Sequence, residues 1–132
     1  MEISKEICEF FESVPIMAFS TCDKKGDPNV VAVRFKKMVG PDTILIVDTH
    51  FDKTKKNVLE NSRVAIAMWK GKQGYQIKGD ARYHAEGGIF DEAANWAVSK
   101  GKTKPTKGVV EVKVTEIYSI TPTYEEAGKR VA

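Results

Sequence analysis

The chain has 132 residues, of which 42% are hydrophobic and 30% charged, a size and balance that suit one domain with one buried core. A net charge of +3 is too small to argue for a nucleic-acid partner by itself. Two cysteines, Cys8 and Cys22, form neither a disulfide framework nor a paired-thiol motif, the start MEISKEICEFFES is acidic and amphipathic rather than a secretory leader, and no apolar run has the length of a bilayer span, so a reduced cytoplasmic location is expected.

The opening segment places Ile3, Ile7, Phe10 and Phe11 at helical spacing, and Val14–Pro15 stop it. IMAFSTC and NVVAVRFKKMV, separated by the turn-rich DKKGDP, read as a β-hairpin. GPD turns the chain into TILIVDT, a continuous apolar strand that implies burial on both faces. Residues 53–61 read as a short helix with Val58 and Leu59 as its buried edge. RVAIAMW and YQIKGDARYHA follow as strands, the glycine of the second marking a bend or bulge. GGIFDEAANWAVSKG carries Ile89, Phe90, Ala93, Ala94 and Ala97 at helical spacing, KGKTKPTKG is a basic loop, and VVEVKVTEIYSI alternates valines as a last strand before a tail, TPTYEEAGKRVA. The expected fold is mainly β: a six-stranded antiparallel split barrel of Greek-key character with two or three flanking helices, in one domain over residues 1–132. Tight turns favour a barrel, which leaves no edge exposed.

Catalytic motifs are scarce. There are two histidines, His50 and His84, and no HExxH, GxSxG, CxxC or P-loop pattern. Cys8 and Cys22 read as packing residues. Asp48 and His50 share a strand face, but no third ligand accompanies them, so no metal site is expected. The basic loop, with Lys100, Lys102, Lys104 and Lys107, reads first as solvated surface. Its functional reading is a phosphate or nucleic-acid contact, with Trp69, Tyr75 and Tyr83 as a stacking platform for a single strand.

The stretch DKTKKN, residues 52–57, sets three lysines into the first turn of the short helix. That end of a helix is positive and prefers acidic side chains. It also presents free N–H groups, and with Lys53, Thr54 and Lys56 it offers what a phosphate monoester needs. Two readings stand: solvated lysines behind an Asp52 cap, or an anion site.

The succession STCDKKGDPNVVAV, TILIVDTHFDKTKKNVLENSRVAIAMW and GYQIKGDARYH resembles the FMN-binding split barrels of the pyridoxamine 5′-phosphate oxidase-like superfamily, and within it the short single-domain flavin-binding members, from about residue 3 to residue 121. The resemblance implies that Lys53 and Thr54, supported by Asn57, hold the FMN phosphate. It lays the flavin ring along Ala32, Val33 and Arg34, and gives Val47, Asp48 and Thr49 to the ribityl chain and ring edge. It further implies a homodimer with each flavin at the interface, Gln76 and Trp69 reaching in from the partner or closing the pocket. True pyridoxamine phosphate oxidases carry Ser-Arg-Lys where this chain has Asp52, Lys53 and Thr54, and a tryptophan–arginine region beyond the last strand that has no counterpart here. Pyridoxamine phosphate oxidation is therefore not expected. Related barrels bind a deazaflavin or haem, the haem users through a C-terminal histidine, and no histidine follows His84.

The expected function is an FMN-binding oxidoreductase or electron-transfer protein, with no catalytic residue assigned. A non-enzymatic flavin carrier or store is the alternative, ahead of a single-strand nucleic-acid module.

Overall fold

The computed structural model describes residues 1–132. In chain order the elements are α1 (Lys5–Ser13), β1 (Met17–Cys22), β2 (Pro28–Val33), β3 (Lys36–Val39), β4 (Thr43–Asp48), α2 (Lys53–Glu60), β5 (Arg63–Lys70), β6 (Gln73–His84), α3 (Gly88–Ser99) and β7 (Gly108–Ser119). All strands join one antiparallel sheet in the order β2-β1-β5-β6-β7-β4-β3. The mainly β architecture with three helices agrees with the sequence expectation, but there are seven strands rather than six. NVVAVRFKKMV is two strands, not one. Its first half pairs with β1, where Val33 faces Met17, and its second half pairs with β4, where Lys36 faces Ile46. These halves lie at opposite ends of the sheet order, so the sheet curls until both edges meet at Arg34–Phe35. The carbonyl of Phe35 already accepts from Val47 N–H at 3.0 Å.

The concave side holds the larger core. Phe11, Phe19, Ile44, Ile66, Met68, Ile77 and Ile117 are among its fully buried side chains, each such burial contributing about 1.5–3 kcal/mol. α1 closes one end of it. Ser4 caps that helix by accepting from Ile7 N–H at 3.3 Å, and Ile7, Phe10 and Phe11 turn inward as their spacing predicts. The last turn is tied down by Lys36, whose ammonium donates to the Phe11 carbonyl at 2.9 Å and lies 4.1 Å from the Phe11 ring centre. Burial pulls the Lys36 pKa below its ordinary value, partly countered by Glu12.

A second, smaller core lies on the convex side. Leu45 and Val47 of β4 and Val109 of β7 pack there against Ala93 and Ala97 of α3, whose small side chains let helix and sheet approach closely. β4 is thus buried on both faces, as its unbroken apolar run implies. α2 contributes Thr54, Asn57 and Val58 to the interior, while Leu59 is 65% exposed. The expectation that Leu59 is buried is wrong, because it lies about 100° round the helix from Val58.

Gly79 does mark a bulge: the β6–β7 register shifts between Lys78 and Gly79. The residues after β7 are not a free tail. β4 reaches only as far as Lys113 along β7, and the chain returns to cover the vacant edge beyond, with Ser119 N–H donating to Lys129 O at 2.8 Å and Val131 N–H to Ile117 O at 2.8 Å.

Candidate functional site

Two clefts flank the junction between β2, the end of β4 and α2. The first, about 420 Å³, is walled by Val31, Ala32, Arg34, Phe35, Val47, Thr49, His50 and Phe51, and by the loop Gly101–Lys104. Its volume falls in the usual range for small-molecule sites. The second, about 430 Å³ and lined almost entirely by polar residues, is formed by Lys24, Lys25, Asn29, Lys53, Lys56 and Asn57, with Asp23, Asp27, Pro28 and Glu60. Asn29 and Val31, alternate residues on one face of edge strand β2, reach one cleft each.

Only some of the expected ring and ribityl residues reach the first cleft. Ala32, Arg34, Val47 and Thr49 do. Val33 does not: it is 3% exposed and belongs to the main core. Asp48 points the other way from Val47 and is fully buried. Its carboxylate accepts from Tyr83 Oη at 2.5 Å and from Phe51 N–H at 2.7 Å, fixing the turn that carries Thr49, His50 and Phe51 into the cleft. Burial, then the hydrogen bond to Asp48 and its negative charge, raise the Tyr83 pKa well above the ordinary phenol value. Gly108 makes room for this pair, since a Cβ there would overlap the Tyr83 hydroxyl.

At the second cleft, α2 starts without a side-chain cap. Asp52 makes no capping hydrogen bond, the first turn holds no acid, and the first intrahelical bond runs from Lys56 N–H to Asp52 O. The N–H groups ahead of it are the orphans of a helix start. Lys53 is exposed and makes no ion pair. Lys55 instead lies over the Tyr83 ring, 4.9 Å from its centre. Thr54 is 1% exposed, and its hydroxyl oxygen accepts from Asn29 Nδ2 at 3.0 Å. Asn57 Nδ2 donates to Thr21 Oγ1 at 3.1 Å. These bonds clamp α2 to the β1–β2 hairpin, so the side chains of Thr54 and Asn57 hold the helix end in place while Lys53 stands free beside it.

Gln76 lines neither cleft. It lies in an outward row across five strands, Ala32–Ala18–Ala67–Gln76–Tyr118, which begins at the cleft wall. The three aromatics of the stacking reading do not share a surface: Tyr75 is buried edge-on against Phe10 with ring centres 5.1 Å apart, Tyr83 is bonded to Asp48, and only Trp69, 54% exposed, is free. Sequence reasoning missed Phe35 and Phe51, weighed His50 as a metal ligand alone, and took Lys102 first as solvated loop surface and second as a phosphate contact. The loop reads as solvated, yet Lys102 is 7% exposed in the cleft wall. Its backbone N–H donates to Ala97 O at 3.0 Å, just after Gly101 reverses the chain at φ +95°. Burial lowers the Lys102 pKa, and the charge of Asp48 partly restores it.

A family model for pyridoxamine 5′-phosphate oxidase matches residues 3–121. An uncharacterized protein of Methanocaldococcus jannaschii is 34% identical over 135 residues, spanning 100% of this chain and 89% of its own. Among solved structures, HupZ of Group A Streptococcus superposes with a TM-score of 0.85 at 23% identity, covering 98% of this chain and 99% of that one. An FMN-binding protein from Syntrophomonas wolfei gives 0.77 at 20% identity over 90% and 89%, and HutZ, a heme storage protein from Vibrio cholerae, 0.69 at 14% identity over 89% and 87%. At these identities the solved structures share the fold and nothing finer. The family match over most of the chain and the full-length relative establish the rest: this chain belongs to the pyridoxamine 5′-phosphate oxidase family.

Proposed function

We propose that the protein is an FMN-binding oxidoreductase or electron-transfer flavoprotein. One observation carries the reading: an uncapped helix start with no acid in its first turn and a free Lys53 stands two residues from Phe51, a wall of a cleft of ligand size. Orphan N–H groups, the positive helix end and an unpaired ammonium together suit a phosphate monoester. The neighbouring wall of Val31, Ala32, Phe35 and Phe51 suits an apolar ring. When bound, FMN supplies the redox chemistry. The chain's own residues then act as follows. Lys53 and the α2 N–H groups bind the phosphate. Asn29, Thr21 and Asn57 hold that helix end, and Asp48 with Tyr83 holds the turn between the two clefts. Arg34, exposed on the cleft wall and 5.1 Å from the Phe35 ring centre, places a positive charge against the ring. Asp52 in place of the oxidases' serine leaves pyridoxamine phosphate outside the reading.

The outward row from Ala32 to Gln76, together with exposed Val30 and Trp69, supports a homodimer in which Gln76 faces the partner's cofactor. A cytoplasmic setting accords with two unpaired thiols, and no helix is long and apolar enough to cross a membrane. Haem as the bound group has less support, since His50 is the sole histidine at either cleft. A non-enzymatic flavin carrier is separated from an enzyme by turnover of a nicotinamide donor.

The visible spectrum of the purified protein tests the reading. Flavin bands are expected, with FMN as the released cofactor, and a protein that stays colourless after incubation with FMN refutes it. Arg34→Met is expected to lower the flavin midpoint potential by on the order of 30 mV, the equivalent of about 1.4 kcal/mol for a two-electron couple, because the lost cation favours the negative charge that reduction places on the ring. An unchanged potential would place Arg34 away from the ring.

A further inference from the structure

We infer that a third cleft, remote from the other two, binds a small neutral polyhydroxylated molecule, a polyol or a monosaccharide. It lies where the start of α1, the first residues of β6, the end of β7 and the returning C-terminal segment meet, and its volume is about 460 Å³, within the range of small-molecule sites. β7 begins at Gly108, paired with Asp48 beside the first cleft, and ends at Ser119 in the wall of this one. Its 12 residues, each rising about 3.3 Å, keep the two clefts apart, so the inference does not depend on the flavin reading.

Four hydroxyls line the cleft, those of Ser4, Tyr75, Ser119 and Thr121. Each accepts one hydrogen bond, from Ile7 N–H, Gln73 Nε2, Thr121 N–H and Gly74 N–H respectively, all at 3.3 Å. None gives its own proton to any acceptor of the protein, although a hydroxyl has one to give. Tyr75 and Ser119 are only 8% and 4% exposed, so the cleft is the one direction left for those two protons. A buried donor without an acceptor is costly, and a ligand oxygen seated there would remove that cost.

The charges in the wall decide which ligand. Glu6 and Glu126 are there, exposed and outside every ion pair, and no basic residue accompanies them. Two carboxylates without a cation repel phosphates and carboxylates. An ammonium would satisfy the carboxylates but has no lone pair for the hydroxyl protons. A ligand hydroxyl does both, accepting from Tyr75 and Ser119 and donating to Glu6 and Glu126. Ile7 and Val131 supply apolar surface for its C–H groups.

The test is a titration of the isotope-labelled protein, read from its amide resonances, with D-glucose, myo-inositol, putrescine and inorganic phosphate. One or both polyols are expected to move the Ser4, Gly74 and Thr121 amides saturably, and putrescine and phosphate to leave them in place. Tyr75→Phe keeps the ring that packs on Phe10 and is expected to weaken polyol binding at least about fivefold, the worth of one hydrogen bond. Glu6→Gln, a change at an exposed position, is expected to weaken it at least as much and gives the reading if Tyr75→Phe does not fold. The inference is overturned by an absence of saturable shifts with both polyols, or by putrescine or phosphate moving the same amides. Affinity unchanged in every variant that folds would overturn it too.

Discussion

Replacing Lys53 with alanine is expected to weaken FMN binding roughly 10- to 100-fold while leaving riboflavin binding nearly unchanged. The estimate is the worth of one charge-assisted contact to a phosphate, about 1.5–3 kcal/mol. Lys53 is suited to the experiment because it is exposed and makes no ion pair, so its loss should move stability by less than about 0.5 kcal/mol. Thr54 is a poor probe by comparison. Its hydroxyl is part of the buried bonds that fasten α2 to the hairpin, and its removal would mix binding with unfolding. Fluorescence titrations of both flavins, with thermal melts of the apoprotein, check the expectation. Equal losses for FMN and riboflavin would remove the phosphate from the α2 start.

The largest effect on stability is expected from Gly79→Ala, about 3 kcal/mol or more, read by chemical denaturation. A Cβ at Gly79 would overlap the backbone carbonyl oxygen of Lys113 and sit 2.9 Å from Val112 Cγ1. Over-packing of flexible side chains costs about 1–3 kcal/mol. Here the obstacle is backbone, and β7 is held on both sides at this point, by β6 and by β4, where Lys113 faces Thr43. A loss below about 1 kcal/mol would mean that the bulge at Lys78–Gly79 relaxes enough to admit a side chain.

Secondary structure was legible because periodicity reports burial, and the family through the resemblance of its strand and helix-start blocks. Ile7, Phe10 and Phe11, the twofold-buried β4 and the bulge at Gly79 all follow from spacing or residue type. Adjacent apolar residues misled where only one could face inward, as at Val58 and Leu59. The division of NVVAVRFKKMV escaped notice because nothing local marks it: Arg34 and Phe35 are ordinary strand residues, and what separates them is which distant strand each neighbour pairs with. Of the residues named for the site, Ala32, Arg34, Val47 and Thr49 meet in one cleft and Lys53 and Asn57 in the other, while Val33 and Asp48 face inward. A run of consecutive names along a strand cannot all share one side of it. The burial of Lys102 was illegible for a different reason. In a loop there is no period to read, and its burial is decided by a glycine turn and a helix carbonyl close in sequence, acting on a wall assembled from β2 and β4.

The junction at Arg34–Phe35 has a kinetic side. Three hairpins, β1–β2, β3–β4 and β5–β6, are short-range and can form independently. Joining them takes pairings distant along the chain, Ala18 with Ala67 and Ile46 with Val110, whose loop-closure entropy must be met before contacts reward it. Because one dipeptide tethers the first hairpin to the second while the finished sheet sets them at opposite margins, neither can dock without dragging the other round. Closure of the sheet is thus a concerted step, and the cleft that depends on that dipeptide comes into being only when it is complete.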